Sequence, residues 1–256
     1  MLDRILNDAR SRADDIMGCA AMYRDAASSL PPVQPFSAAL TGRGLSIVAE
    51  VKRRSPSRGV LAAGLDAVAQ ARIYESAGAN AISVLTEPLH FDGSLDDLGA
   101  VRDAVSIPVL RKDFLLEAAQ VWEARAFGAD AVLLIVAVLG RAGLELMLDA
   151  AADAGVDALV EVHDEHEAEI AIEAGATLIG VNNRDLTTFT IDLAVAERIA
   201  DVVMRSGVTT VAESGILDRH DAVRMSAAGY DAILVGEALV VASDPAEMLA
   251  RLVGRL

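Results

Sequence analysis

Residues 76–86 read S-A-G-A-N-A-I-S-V-L-T, and the arrangement of this stretch decides the fold. The first half is typical of a helix end, because a glycine after small residues closes the last turn. The second half is a short apolar run that predicts a buried strand. The helix-ending half recurs four times, as A-F-G-A-D at 126–130, D-A-G-V-D at 153–157, E-A-G-A-T at 173–177 and A-A-G-Y-D at 227–231.

Eight apolar runs of strand length follow this repeating pattern from residue 46 onward. They lie at 46–52, 81–86, 108–113, 131–136, 158–163, 178–184, 209–214 and 232–236. Strands that alternate with helices indicate right-handed crossovers and a parallel sheet. Eight such units in about 210 residues predict an α/β fold, the closed (β/α)8 TIM barrel. A doubly wound open sheet is the alternative.

The chain before residue 46 is interpreted as an N-terminal helical extension. Apolar side chains at helical spacing predict one amphipathic helix from residue 2 to about residue 24. Pro31, Pro32 and Pro35 then predict an extended connector. We expect residues 1–45 to pack on a single catalytic barrel of residues 46–256, because the apolar stripe needs a surface to cover.

The composition of the 256-residue chain suits a parallel sheet covered by helices, since 53% of it is hydrophobic and few residues are aromatic. The longest apolar run, residues 131–140, is too short to span a bilayer. The N-terminus lacks the pattern of a signal peptide, so we expect a cytoplasmic protein. Cys19 is the only cysteine, which excludes an intrachain disulfide and a thiolate metal cluster.

The formal net charge of −16 argues against nucleic acid or a membrane surface as a partner, because the overall field repels both. A small anionic substrate can still bind where positive charge is concentrated. The cations available for such a concentration are Arg53, Arg54, Arg58, Arg111, Arg184, Lys52 and Lys112.

Lysine is rare in this chain. Of its 22 basic residues only Lys52 and Lys112 are lysines, and both lie at the carboxyl ends of predicted strands. Function in such barrels collects at those ends. Because a lysine ammonium can give or take a proton whereas guanidinium is a fixed charge, we interpret both lysines as catalytic.

Carboxylates accompany the lysines in the predicted strands. Residues 47–59, I-V-A-E-V-K-R-R-S-P-S-R-G, place Glu50 and Lys52 on one strand face before a basic turn. Glu161 and Glu213 lie inside the apolar runs L-V-E-V-H and V-A-E-S-G, where an unpaired carboxylate costs several kcal/mol. Each therefore needs a cationic partner or a chemical role. A ring of structural ion pairs is the alternative.

The turns after the last two predicted strands, S-G-I at 214–216 and G-E-A at 236–238, suit a phosphate. Phosphate-binding barrels use backbone N–H groups from these two loops, and Gly215 and Gly236 permit a close approach. Glu237 fits this site poorly, because a carboxylate repels a phosphate dianion.

Two kinds of cofactor are not expected. The chain has neither a G-x-G-x-x-G stretch after a strand nor a Walker A motif, so we expect no nucleotide cofactor. His163 and His166 stand among acidic residues, and we interpret them as a solvated helix start instead of a metal site.

Eight motifs together carry a family resemblance. They are A-E-V-K-R-R-S-P-S-R-G, S-V-L-T-E, F-D-G-S-L-D-D-L, P-V-L-R-K-D-F, L-V-E-V-H, G-V-N-N-R-D-L, A-E-S-G-I and L-V-G-E-A-L. Over nearly its whole length, including the extension, the chain resembles the indole-3-glycerol phosphate synthase family of tryptophan biosynthesis. The resemblance implies a barrel that converts a carboxyphenylamino deoxyribulose phosphate to indole glycerol phosphate, carbon dioxide and water, without a cofactor or metal.

The resemblance also implies roles for residues at matching positions. Lys112 is similar to the general acid of ring closure, Lys52 to the residue that holds the substrate carboxylate and shares the acid role, and Glu161 to the acid–base carboxylate of dehydration. Residues implied to orient the lysines and the substrate hydroxyls are Glu50, Asn182, Glu213 and Ser214. The remaining implied substrate contacts are Phe114 at the aryl group and, at the phosphate, Ser55, Arg184, Gly215 and Gly236. Glu237 is expected to bind the phosphate only through its backbone N–H, with its side chain turned toward solvent or a cation.

Two other interpretations stay open at this point. The neighbouring isomerase of the same pathway, also a phosphate-binding barrel, would be expected to lack the paired lysines. A non-catalytic barrel would be expected to have lost Lys52, Lys112 or Glu161, and this chain has all three. We expect a monomer, with a weak homodimer as the alternative.

Overall fold

A closed parallel barrel organises the computed structural model, which describes residues 2–42 and 44–254. The strands of this part of the chain are β1 (Ser46–Val51), β2 (Arg54–Ser55), β3 (Gly59–Val60), β4 (Ala81–Leu85), β5 (Val109–Lys112), β6 (Ala131–Ile135), β7 (Asp157–Val162), β8 (Leu178–Asn182), β9 (Thr209–Glu213) and β10 (Ala232–Val235). The barrel order is β1-β10-β9-β8-β7-β6-β5-β4, and β4 pairs with β1 to close it. The TIM barrel prediction is confirmed, and each predicted strand agrees within two residues at either end.

Helices lie between successive barrel strands as an outer layer, and further helices precede the first strand or follow the last one. They are α1 (Leu2–Met17), α2 (Ala20–Ser28), α3 (Phe36–Leu40), α4 (Ala67–Ser76), α5 (Leu95–Ala104), α6 (Ala118–Ala126), α7 (Val136–Ala154), α8 (Glu165–Glu173), α9 (Ala194–Met204), α10 (Arg219–Ala227), α11 (Glu237–Val240) and α12 (Pro245–Leu252). Several begin at a capping side chain: Asp66, Ser94 and Asp164 each accept a hydrogen bond from the N–H three residues further on.

The repeated helix-ending motif ends the helices and contacts the starts of strands. Its glycine takes a positive φ in all five copies, which ends each helix. In three copies the side chain of its last residue also binds the start of a neighbouring strand. Asn80 accepts from the N–H of Ile47 at 3.0 Å, and Asp130 accepts from the N–H of Val109 at 2.8 Å. The motif therefore ties the amino ends of the strands together.

Side chains alternate across each barrel strand, and this produces two apolar layers. On β1, Ile47 and Ala49 belong to the layer between strands and helices, whereas Val48 belongs to the layer inside the barrel. The inner layer also contains Leu110 and Leu159. Its members are buried, so it fills the barrel interior below the carboxyl ends of the strands.

The N-terminal segment differs from its prediction. The single helix expected from residue 2 to about 24 is wrong, because a turn at Gly18 and Cys19 divides it into α1 and α2. Met17, the last residue of α1, is mostly exposed. Residues 31–35 are neither helix nor strand, as the prolines predict, and the unpredicted short helix α3 follows them, with Phe36 and Leu40 buried in the inner layer. The N–H of Ser37 donates to Asp157 at 2.8 Å, which fixes α3 across the amino end of the barrel.

The helices α1 and α2 lie against α6. The division of the chain at residue 45 stays a prediction, since only the separated parts would show which of them folds alone. Among the described residues, no helix combines the length and apolarity needed to cross a bilayer.

Candidate active site

A cavity of about 450 Å³ opens at the carboxyl ends of the barrel strands, a volume suited to a small organic ligand. It is lined by all thirteen candidate residues: Glu50, Lys52, Ser55, Lys112, Phe114, Glu161, Asn182, Arg184, Glu213, Ser214, Gly215, Gly236 and Glu237. The two-residue period of a strand explains this convergence, because residues at even spacing on each strand face the same interior. The roles of these residues stay predictions.

Lys112 lies between two buried carboxylates. Its Nζ is 3.0 Å from Oε2 of Glu213 and 3.4 Å from Oε2 of Glu161. Burial alone would lower the pKa of Lys112, but the charges of Glu213 and Glu161 outweigh it and hold that pKa above its usual range. The ammonium group is therefore charged, with its protons directed at two acceptors.

The same environment shifts the two carboxylates in opposite directions. Burial alone would raise the pKa of Glu161, but Lys112 and His163 reverse the effect and lower it. Burial raises the pKa of Glu213, the charge of Glu161 adds to this, and Lys112 opposes it only in part. At neutral pH Glu161 is thus the ionised partner, and Glu213 is the one that more readily holds a proton.

Lys52 forms an ion pair with Glu50, as their positions on one strand face suggest. Gly236 lies against this pair: a Cβ added there would be 2.2 Å from Oε1 of Glu50 and 3.0 Å from Nζ of Lys52. The missing side chain of Gly236 therefore makes room for the ion pair. The close approach at this glycine, predicted for a phosphate, is thus to the side chains of Glu50 and Lys52.

Polar groups from three loops gather at the other end of the cavity. Arg184 contacts Oγ of Ser57 at 3.3 Å, and the Oγ of Ser55 accepts from the N–H of Arg58 at 3.2 Å. Glu237 pairs with Arg58, with 2.5 Å between Nη2 and Oε1. We call this part of the cavity, lined by Arg58 and Arg184, the cationic end. Glu237 is compatible with it because the guanidinium of Arg58 offsets the charge of the carboxylate.

An apolar wall completes the cavity. Phe114 and Phe91 lie with ring centroids 6.5 Å apart, and both line the cavity. Leu2 and Ile5 of α1 line it as well, so the N-terminal helix forms part of the wall. Such a surface suits the flat face of an aromatic ring.

The predicted concentration of cations is partly wrong. Arg111 points away from the cavity, and its guanidinium donates to Glu123 at 2.8 Å in a buried network. Arg53 pairs with Asp97, 2.5 Å from Nη1, and neither Arg53 nor Arg54 lines the cavity. Among the described residues, the cations that line it are Lys52, Lys112, Arg58 and Arg184.

Two residues near the lysines were missed by sequence reasoning. A Cβ at Gly180 would be 2.2 Å from Oε1 of Glu213, so this glycine makes room for the carboxylate. Its signal was a glycine inside a strand, which often marks a close approach. His163, interpreted as solvated, is instead mostly buried between Glu161 and Glu167. His166 is exposed, as expected.

One group in the described part of the chain brings three metal-ligating side chains together, namely Asp218, His220 and Asp221. None of the three lines the cavity. Asp218 and Asp221 already serve the start of α10, because each accepts a backbone N–H. We assign this group a capping role.

Comparison with protein families gives a match over residues 2–252 to the family described as Indole-3-glycerol phosphate synthase. Two relatives carry this name. The protein of Mycolicibacterium smegmatis is 51% identical over 99% of this chain and 93% of its own length. That of Streptomyces griseus is 45% identical over 99% of this chain and 94% of its own.

Solved structures with similar folds are more distant in sequence. A crystal structure of 3-hexulose-6-phosphate synthase superposes with a TM-score of 0.63 at 17% identity, covering 83% of this chain and 100% of that one. Thiamine phosphate pyrophosphorylase from Pyrococcus furiosus gives 0.60 at 20% identity, covering 81% and 93%. These similarities show the fold alone.

Proposed function

The chain belongs to the indole-3-glycerol phosphate synthase family, and we propose that it is a carboxy-lyase that closes the indole ring. Its substrate is 1-(2-carboxyphenylamino)-1-deoxy-D-ribulose 5-phosphate. Its products are indole-3-glycerol phosphate, carbon dioxide and water, as required in tryptophan biosynthesis.

The observation that carries this proposal is the position of the lysines. Both lysines of the chain line one cavity, each paired with a buried carboxylate. A purely structural set of ion pairs would be served equally well by the arginines that the chain uses elsewhere. Ammonium groups with carboxylate partners are suited to proton transfer.

The shape and charge of the cavity match the three parts of this substrate. The aryl ring suits the wall formed by Phe114 and Phe91, and the carboxylate on that ring suits the ammonium of Lys52. The phosphate suits the cationic end, where Arg184 and the backbone at Gly215 are available. The ketone then lies between the two ends, within reach of Lys112.

Lys112 is the proposed general acid of ring closure. The ring carbon that bears the carboxylate attacks the ketone carbon, and the ketone oxygen takes a proton from Lys112. Loss of carbon dioxide returns the electrons of its bond to the ring. Glu161 and Glu213 flank the ammonium and stabilise the charged lysine before transfer.

Glu161 is the proposed acid–base group of dehydration. Removing the new hydroxyl as water requires a proton on the departing oxygen and loss of a proton from the neighbouring carbon. Because its pKa is held low, Glu161 is ionised and able to accept that proton. Glu50, Asn182 and Ser214 are proposed to orient the lysines and the substrate hydroxyls.

A direct assay tests the proposal. The purified protein is mixed with the carboxyphenylamino substrate, and indole absorbance is followed over time. We expect absorbance to rise together with release of carbon dioxide. No turnover by folded protein would overturn the assignment.

Further properties follow from the proposed reaction. We propose a cytoplasmic enzyme whose partner is the phosphorylated small molecule, without nucleic acid or membrane, working without a metal or cofactor. We also propose that it functions as a monomer, with a weak homodimer as the alternative. Sedimentation at several protein concentrations tests the oligomeric state.

A further inference from the structure

His163 occupies a position that the proposed reaction does not use. It follows β7 two residues after Glu161, so both side chains leave the strand on the same face. Its Nδ1 is 3.0 Å from Oε2 of Glu167, and its Nε2 is 3.4 Å from Oε1 of Glu161. Each ring nitrogen therefore faces a different carboxylate.

This geometry determines the protonation state of the ring. A neutral imidazole has one N–H donor and one lone pair, so either tautomer would direct a lone pair at a carboxylate. Only the doubly protonated ring suits both Glu161 and Glu167. In agreement, burial alone would lower the pKa of His163, but the two carboxylates raise it to about 10.

The imidazolium of His163 adds positive charge to a cluster of lysines and carboxylates. Around the lysines, two ammonium groups meet three carboxylates, those of Glu50, Glu161 and Glu213. The charge of His163 adds a further cation next to Glu161, the carboxylate that is ionised at neutral pH. Its Nε2 lies at ion-pair distance from the oxygen of Glu161 that Lys112 does not contact, so each oxygen of this carboxylate faces a different cation.

We propose that His163 is a positioning residue that holds Glu161 ionised, with one oxygen fixed and the other directed toward Lys112. This inference depends on the proposed function only for its kinetic readout. Other charged groups near the pair are Asp185, whose pKa is lowered mainly by the backbone N–H groups of Thr188 and Thr187 and least by His163, and Glu213 across Lys112. The N–H of His163 also donates to Glu167 at 2.8 Å, which fixes the ring relative to α8.

The kinetic test compares His163→Gln with His166→Gln over a range of pH. Glutamine keeps a donor but removes the positive charge. The pKa of Glu161, held low in the wild type, should rise toward its usual value, so the acidic limb of kcat/KM should move to higher pH. A shift of about one pH unit would lower kcat/KM about tenfold more at low pH than at high pH. His166→Gln, exposed on the same helix start, should leave the limb in place.

A loss of activity that is uniform across pH, or an unchanged profile, would overturn the inference. Glu167→Gln provides a second variant, since it removes the Nδ1 partner and should move the limb in the same direction by less. The Glu167→Gln variant takes the place of His163→Gln in this test if His163→Gln does not fold. An unshifted limb in Glu167→Gln would then count against the proposal.

A nuclear magnetic resonance titration of the imidazole tests the geometry without any turnover. We expect the ring of His163 to stay doubly protonated in the ligand-free protein beyond about pH 8, unlike an ordinary histidine. A neutral ring at pH 7 would overturn the inference. If the wild type does not turn over the substrate, the proposed function fails, and this titration still decides the role of His163.

Discussion

The two ends of the barrel use the same strands in opposite ways. Toward the amino end, the inner layer that contains Val48, Leu110 and Leu159 is apolar and is covered by Phe36 and Leu40 of α3. At the carboxyl end, the inward-facing residues are lysines and carboxylates around a cavity. One end is fully packed, and the other holds buried charges whose desolvation is unfavourable.

The two ends of the barrel therefore contribute to different properties, the amino end to stability and the carboxyl end to catalysis. Apolar burial at the amino end stabilises the fold without regard to charge, whereas the ion pairs of Lys112 mainly set protonation states. Substitutions at the amino end should therefore change the free energy of unfolding, and substitutions at the carboxyl end should change kinetic parameters. Four predictions test this separation.

The largest effect is expected for Phe36→Ala at the amino end. Removing a fully buried aromatic side chain should lower the free energy of unfolding by about 3–5 kcal/mol, while kcat of the folded protein stays within about twofold. Denaturant unfolding and steady-state kinetics measure the two quantities. The matched variant Phe114→Ala removes a partly exposed ring at the cavity, so it should cost less stability and raise KM. Equal effects of both variants on kinetics would contradict the separation.

Lys112→Met should lower kcat by about 10²-fold or more while circular dichroism stays native, because the proton donor is lost. Lys112→Arg should lower kcat as well, since guanidinium does not release a proton near neutral pH. Arg72→Met, which removes an exposed cation on α4, is the control and should keep full activity. Robust turnover by the arginine variant would disprove the general-acid role.

Gly180→Ala should lower kcat about tenfold. The new methyl group would overlap Oε1 of Glu213 and press on Leu159, so the carboxylate must move relative to Lys112. Gly42→Ala is the control, because no heavy atom lies within 4 Å of the added Cβ. Steady-state kinetics with melting curves distinguish the two, and identical kcat values would show that Glu213 has room to adjust.

The smallest effect is expected for Glu237→Gln and Glu237→Ser. Both free Arg58 from its ion pair, so KM should fall or stay within about tenfold, less than ~1.4 kcal/mol. Gly236→Val should be much worse, because its side chain would displace the pair of Glu50 and Lys52. Loss of activity in Glu237→Gln would place the phosphate elsewhere, and a tolerated Gly236→Val would show that the pair of Glu50 and Lys52 has room to move.

Periodicity explains what the sequence could predict. The strands were placed within two residues because apolar runs and helix-ending glycines mark them repeatedly. Positions at strand ends likewise brought the lysines and Glu161 to one cavity. The division of the N-terminal helix at Gly18 was missed, because apolar spacing continues across the break. Packing of α3 in the barrel end was also missed, since five residues carry too little periodicity.

Two errors could have been avoided with information in the sequence. Neighbouring residues of a strand face opposite sides, so Arg111 could not share the cavity with Lys112. The same rule places His163 beside Glu161, two residues away. By contrast, the pair of Arg58 and Glu237 joins loops far apart in the chain. Sequence periodicity contains no signal for such a contact.

The placement of the only two lysines has a consequence for proteolysis. A protease specific for lysine can cut this chain only after residues 52 and 112, and both bonds lie at the barrel wall. The native protein should therefore resist such a protease, since cleavage requires local opening of a strand. Once opened, it should yield three fragments, residues 1–52, 53–112 and 113–256. The digestion rate would then report how often the catalytic end of the barrel opens.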